Sequence, residues 1–255
     1  MKQGFMKHIN ELIKQSDLII EIVDARYPHK TRNYNIERQI AKFQKKLIIV
    51  INKADLVSKE TSEQNKKELE EKTGINTMFI SALQRDGINL IRREMSASLR
   101  EKETLTIGIV GYPNVGKSTL INVLAGKGRG RVATSRKAGL TRGLQKVKIS
   151  DGIYLIDAPG IIPYGEDEFD LFLVESKNPN QLKDVEGCAE KLIPILGNKK
   201  IAEYYGFTGY EGKDEHEILE MIGEKKRILA KGGLPDTQKA ARDLLERYQK
   251  HEILL

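Results

Sequence analysis

Over residues 1–164, short apolar runs alternate with amphipathic stretches. Six runs read as strands: DLIIEIVDA (17–25), KLIIVIN (46–52), TMFIS (77–81), TIGIVG (106–111), LQKVKIS (144–150) and IYLIDA (153–158). Several are almost continuously apolar, as strands covered on both faces are. Between them the helical period predicts helices over about 5–16, 33–44, 61–73, 87–100 and 117–126. Strands alternating with helices predict a mostly parallel α/β sheet. Asp151-Gly152 separates the fifth and sixth runs and predicts a tight hairpin, hence one antiparallel pair.

Beyond Gly165 the pattern changes. EDEFDLFLVES, CAEKLIPILG, KIAEYYGF, HEILEMIGEKKRI and DTQKAARDLLERYQKH all read as short helices, with Gly-rich breaks between them. Asp236, after a proline and before the last pattern, is a candidate N-cap. Residues 165–255 are therefore expected to form a smaller, all-α domain.

Composition adds two things. The chain has 255 residues and one cysteine, Cys188, so no intrachain disulfide is possible and a cytoplasmic setting is expected. The longest unbroken apolar run is Leu47 to Ile51 and the N-terminus has none, so neither a membrane span nor a signal peptide is expected. Charge is divided unevenly. Residues 165–255 hold 14 Lys+Arg and 19 Asp+Glu, a net of −5, which leaves 29 − 17 = +12 for residues 1–164. The densest basic stretch, KGRGRVATSRKAGLTRGLQKVK (127–148), has eight Lys/Arg and no acid. It reads as a solvated loop or as a surface for a phosphate-rich partner, and the absence of acids favours the second. Arg129, Arg131, Arg136 and Lys137 are the RNA-binding candidates.

GYPNVGKST (111–119) fits G-x-x-x-x-G-K-[ST] between a strand and a helix, the context a phosphate-binding loop requires. Gly111 and Gly116 permit the turn that points backbone N–H groups at phosphate oxygens. Lys117 is expected to reach the β- and γ-phosphates and Ser118 to hold Mg²⁺, with Asn114, Val115, Gly116 and Thr119 as neighbouring contacts. IYLIDAPG supplies D-x-x-G 40 residues after Lys117. There Asp157 is placed to hold the Mg²⁺ shell and the Gly160 N–H to meet the γ-phosphate. Thr141 leads into the strand LQKVKI and is the expected third Mg²⁺ group; Thr134 is its competitor in the same loop.

LIIVINKAD ends a buried strand in a polar loop. Asp55 is placed to accept from the N1–H and N2–H₂ edge of guanine, a donor pair that adenine lacks, so GTP/GDP is expected rather than ATP. Asn52, the Lys53 stem and Ala54 would brace that loop and cover the base. TMFISAL ends in Ser81, Ala82 and Leu83, whose backbone is placed for guanine O6. The two loops lie at strand ends 29 residues apart. Yet NKAD precedes the phosphate loop by 59 residues, whereas ordinary GTPases have the reverse order. Moving the chain termini to another surface loop preserves the constellation, because all these loops leave the carboxyl ends of parallel strands.

The order NKAD, SA, GYPNVGKST, threonine loop, DAPG resembles that of the circularly permuted GTPases. VDARYPHKTRN (23–33) and KGGLPDTQKAARDLLERY (231–248) are similar to stretches in the group containing bacterial ribosome biogenesis GTPase A and its archaeal and eukaryotic relatives. The resemblance covers nearly the whole chain. It implies a P-loop, Ras-like α/β GTPase domain with permuted motif order over 1–164. It also implies weak intrinsic hydrolysis and a role in late assembly of the large ribosomal subunit, with rRNA and not DNA as partner. Bacterial members carry a functional histidine in a Pro-Gly-His stretch upstream of the DAR motif. No match exists here, so no catalytic histidine is carried over.

Ile161 follows DAPG where many small GTPases have a water-orienting glutamine, which again predicts slow hydrolysis. Asn114 resembles the P-loop asparagine that holds K⁺ in cation-dependent GTPases; shaping the loop is its other reading. Two further functional classes stay open: a GTP-gated binding module, and a GTPase partner of an RNA-modification enzyme.

Overall fold

A computed structural model of the chain describes residues 3–100, 102–126, 146–157 and 167–253. The chain divides between Glu166 and Asp167 into two compact units.

The first unit runs α1 (Gln3–Gln15), β1 (Leu18–Asp24), α2 (Tyr34–Lys42), β2 (Lys46–Asn52), α3 (Lys59–Thr73), β3 (Thr77–Phe79), α4 (Ile88–Leu99), β4 (Leu105–Gly111), α5 (Lys117–Ala125), β5 (Lys146–Ser150) and β6 (Ile153–Asp157). The sheet order is β3-β2-β1-β4-β6-β5, parallel throughout except for β5, which pairs antiparallel with β6. The expected mixed α/β class holds. The third strand is shorter than its apolar run, although the Ile80 N–H still donates to the Ile51 carbonyl of β2 at 2.8 Å and a turn over 82–85 begins only after Ser81. The Ile80 carbonyl accepts from the Ala54 N–H at 3.0 Å, and Ser81 forms an isolated bridge with Asp86.

Alternation along the strands gives the sheet two covered faces. Ile19 and Val23 of β1, Ile49 and Ile51 of β2, Val110 of β4 and Ile156 of β6 share one face. They pack with Ile9, Leu12 and Ile13 of α1, Ile36 and Ile40 of α2, and Leu69 of α3. Gly108 lets α1 lie close: a Cβ there would meet Ser16 Oγ at 2.5 Å and Leu12 Cδ2 at 2.6 Å. The opposite face buries Ile20, Ile22, Ile48, Val50, Ile107 and Ile109. Helices α4 and α5 pack on β4, and Arg92 of α4 donates to the Val123 and Leu124 carbonyls that end α5.

The second unit contains α6 (Glu168–Leu173), α7 (Val185–Leu196), α8 (Asn198–Tyr205), α9 (Glu215–Lys226) and α10 (Thr237–Gln249). Helix α10 packs on α7 and α9 and buries Ala240, Ala241, Leu244, Leu245 and Tyr248. Asp236 caps it by accepting from the Lys239 N–H at 3.1 Å, as its position predicts. Helix α7 starts before the expected Cys188 because Asp184 supplies a cap, accepting from the Gly187 N–H at 2.9 Å. Among the described residues, no helix is long and apolar enough to cross a membrane.

Candidate nucleotide site

Sheet register sets the motifs side by side. Asp24 pairs with Asn52, Ile51 with Phe79, Ile22 with Gly111, and Ile109 with Asp157. The carboxyl ends of β1, β2, β3, β4 and β6 therefore lie along one edge. The chain runs outward from β1 to β3 and then returns to β4 on the other side of β1. Such a reversal opens a crevice at the strand ends, where α/β sheets bind ligands.

Asn52 fastens three loops there. It is buried at the end of β2. Its Nδ2 donates to the Val115 carbonyl in the phosphate-type loop at 2.7 Å, and its Oδ1 accepts from the Ala82 N–H at 2.9 Å. Its own carbonyl accepts from the Ala25 N–H at 2.8 Å. NKAD, SA and GYPNVGKS, distant in sequence, thus converge on one amide. Gly116 (φ 98°) makes room for it, since a Cβ there would stand 2.2 Å from Asn52 Nδ2.

The rest of the NKAD loop is a short 3-10 turn over Ala54–Leu56. Lys53 precedes it in the left-handed region (φ 64°), with its ammonium 3.0 Å from Asp24 Oδ2. Asp55 is half-buried. Its Oδ1 is shielded from solvent and has no hydrogen-bond partner among the described residues. A shielded carboxylate oxygen fits the donor edge of guanine. Ser81 is buried and its Oγ accepts from the Gln84 N–H at 3.1 Å; Leu83 projects outward, 78% exposed.

In the phosphate-type loop, Gly111 (φ 148°) lies tight against β1: a Cβ there would meet the Ile22 carbonyl at 2.4 Å. Lys117 is buried and its Nζ donates to the Gly111 carbonyl at 3.0 Å and to the Tyr112 carbonyl. Its cation lies against the loop's own backbone, beside the N-terminus of α5, where an anion is favoured. Asn114 is exposed in the left-handed region (φ 60°), and Val115 is buried. Ser118 and Thr119 are half-buried in the first turn of α5. Asp157 ends β6. Thr141 and its competitor Thr134, Gly160, Arg129, Arg131, Arg136 and Lys137 lie outside the described residues. No group of three or more His, Cys, Asp or Glu among the described residues is placed to hold a metal. A P-loop Mg²⁺ does not need one, because it rests on a hydroxyl, a carboxylate, water and substrate phosphates. Ser118 and Asp157 are of the right chemistry.

The motif reading missed a buried charge network behind this edge. Asp24 accepts from Arg26 Nε and Nη2 at 3.0 and 2.7 Å, as well as pairing with Lys53. Burial pushes its carboxyl up, but Arg26 and Lys53 outweigh this and hold it at about 2. One signal was present in the sequence, an acid closing a strand that is apolar except for Glu21, followed two residues later by arginine. Deeper in β1, Glu21 is fully buried and accepts from the Asn33 N–H at 2.7 Å. Burial, with Glu37 nearby, pushes it up to about 8.

Comparison with known proteins places the chain among GTPases. The sequence model of the RsgA GTPase family matches residues 9–166, and that of the 50S ribosome-binding GTPases matches 106–229. An uncharacterized GTP-binding protein of Methanocaldococcus jannaschii is 41% identical over 97% of this chain and 65% of its own length. Nucleolar GTP-binding protein 2 of Neurospora crassa is 33% identical over 98% of this chain and 42% of its own. The chain thus spans less than two thirds of either relative. GNP-bound YlqF from T. maritima shares the fold, with a TM-score of 0.65 at 23% identity, covering 99% of this chain and 96% of that one. A GDP-bound YlqF structure matches similarly, with a TM-score of 0.67 at 24% identity over 96% of this chain and 95% of that one.

Proposed function

The chain belongs to the RsgA GTPase family of circularly permuted GTPases, and from that premise we propose that it is a GTP-binding and GTP-hydrolysing switch for assembly of the large ribosomal subunit. The observation that carries the nucleotide half is Asn52, which ties NKAD to the SA loop and to the phosphate-type loop in one hydrogen-bonded unit. In this reading Asp55 accepts from guanine, and Asn52, Lys53, Ala54, Ser81, Ala82 and Leu83 surround the base. Val115, Gly116, Lys117, Ser118 and Thr119 hold the phosphates. Ser118, Thr141 and Asp157 would hold Mg²⁺, which would supply neutralising charge on the phosphates. Lys117 and the α5 N-terminus stabilise the charge that develops at the γ-phosphate, and the Gly160 N–H senses it. With Ile161 after DAPG, no side chain at that position orients water, so intrinsic turnover is slow. K⁺ at Asn114 is a further expected source of positive charge.

The ribosomal half is supported by the match to the 50S ribosome-binding GTPases, by the similarity to a nucleolar GTP-binding protein, and by the acid-free basic stretch over 127–148. The test is co-sedimentation with large-subunit particles. The chain loaded with a GTP analogue is expected to bind more tightly than the GDP form, and binding should weaken as salt rises. Replacing Arg129, Arg131, Arg136 and Lys137 with Ala should flatten that salt dependence while nucleotide binding survives. Equal binding of both nucleotide forms contradicts the switch. An unchanged salt slope removes the basic stretch from the contact.

A further inference from the structure

The DAR segment, which the motif reading left without a task, is wired to the base loop. Asp24 closes β1 in register with Asn52. Its N–H donates to Thr31 Oγ1 at 2.9 Å, and that hydroxyl donates onward to the Tyr27 carbonyl at 2.8 Å. Asn65 of α3 donates to the Ala25 carbonyl at 3.0 Å. The carboxylate of Asp24 is thus rigidly mounted and almost wholly enclosed, with its side chain 1% exposed.

Arg26 alone would balance its charge. The guanidinium forms a two-pronged pair at 3.0 and 2.7 Å, and the Arg26 amide adds a third hydrogen bond at 3.0 Å. One cation balances one carboxylate; the fork engages both oxygens and leaves an acceptor site on Oδ2, which the Lys53 ammonium takes at 3.0 Å. Lys53 adds to the field that keeps Asp24 charged, but a second cation is not required for charge balance. The need runs the other way. Lys53 is a non-glycine residue in the left-handed region, a conformation that persists only where surroundings hold it. It is also a four-carbon side chain with much rotamer freedom to lose.

We propose that Asp24 is a positioning residue for guanine recognition. It tethers the Lys53 ammonium, so that the Lys53 stem stays fixed as one wall of the base site and the following turn keeps Asp55 in place. The inference rests on reading NKAD as the guanine loop. The low pKa of Asp24 keeps the tether charged throughout the neutral range. A lysine ordered before the nucleotide arrives does not lose its freedom on binding, and that is worth about tenfold in affinity.

The test uses the full chain, a fluorescent GDP analogue and steady-state GTP turnover, with Asp24→Asn, Lys53→Met and the double variant. Each single change should weaken GDP binding about tenfold and raise KM for GTP, leaving kcat at saturation unchanged. The double variant should bind no more weakly than the weaker single, because both changes cut one tether. Lys53→Arg keeps the cation and should recover most of the loss. Losses that multiply overturn the tether, as do wild-type binding by Lys53→Met, a fall in kcat in place of a rise in KM, or no rescue by Lys53→Arg. Lys53→Met and Lys53→Arg leave the Asp24–Arg26 pair in place, so they decide the matter even where Asp24→Asn does not fold. Failure of the wild-type chain to bind the analogue defeats the guanine reading itself, and the tether with it.

Discussion

The two units of the chain treat polar groups in opposite ways. All thirteen buried polar or charged residues among the described ones belong to the first unit, including Glu21, Asp24, Arg26, Asn52, Ser81 and Lys117. The second unit buries apolar helix faces and leaves many of its charges in exposed pairs such as Lys213–Glu217 at 2.7 Å and Lys199–Glu203 at 4.0 Å. Exposed pairs of that kind add little stability. Buried polar groups cost free energy unless each is partnered. Evolution tolerates that cost where geometry must be exact to a fraction of an ångström, and in this protein much of it falls along the carboxyl edge of the sheet. The second unit is held mainly by packed apolar helix faces, with a few part-buried hydrogen bonds such as Tyr205 to Asp243 at 2.9 Å and Gln249 to the Lys177 carbonyl at 2.6 Å.

The largest effect should come from the packed unit. Leu244 is fully buried in α10, and Leu244→Ala should cost about 2–5 kcal/mol of stability in urea unfolding. GDP affinity of the molecules that remain folded should not change. A parallel loss of affinity would break the division of labour.

Next comes Asn52. Asn52→Ala removes the bonds to Val115 and Ala82 and leaves both backbone groups without their partner. The cost should be roughly 1–3 kcal/mol, read mainly as weaker GDP binding in calorimetry. A loss of stability with wild-type affinity would make Asn52 a fold residue only.

A smaller effect concerns pH. The Asp24 carboxyl is lowered from 3.8 to about 2, so its stabilisation is complete above pH 4 and is lost as pH falls toward 2. The amount is on the order of 2 kcal/mol. Glu21 has the opposite sign. It is raised from 4.5 to about 8, so the folded chain keeps a proton that the unfolded chain has released, and stability declines as pH rises from 4.5 toward 8. Glu21→Gln should flatten that decline in melting curves without altering the acid limb.

These buried titratable groups are what the sequence reading did not reach. Strands and helices were legible because their residues carry period and caps locally: LIIVI is a buried strand wherever it stands, and Asp236 after Pro235 is a cap. The P-loop and NKAD were legible because their chemistry demands a fixed local spacing. No local rule links Asp24 to Lys53, or Glu21 to Asn33. Those contacts arise only when sheet register sets β1 beside β2 and folds residues 25–33 back over the strand end. The outward Leu83 goes with the turn over 82–85 that the Ser81–Asp86 bridge closes, a feature that hydrophobic periodicity does not mark.

The most direct test of the central claim, a guanine site assembled from motifs in permuted order, is the base selectivity of Asp55→Asn. The substitution exchanges one acceptor oxygen for a donor amide, which suits the C2 carbonyl of xanthine in place of the C2 amine of guanine. Affinities for GTP and XTP are to be measured on wild type and variant under the same salt. GTP binding should weaken by about 2–5 kcal/mol while XTP binding strengthens, reversing the preference. Unchanged GTP affinity in the variant would contradict it.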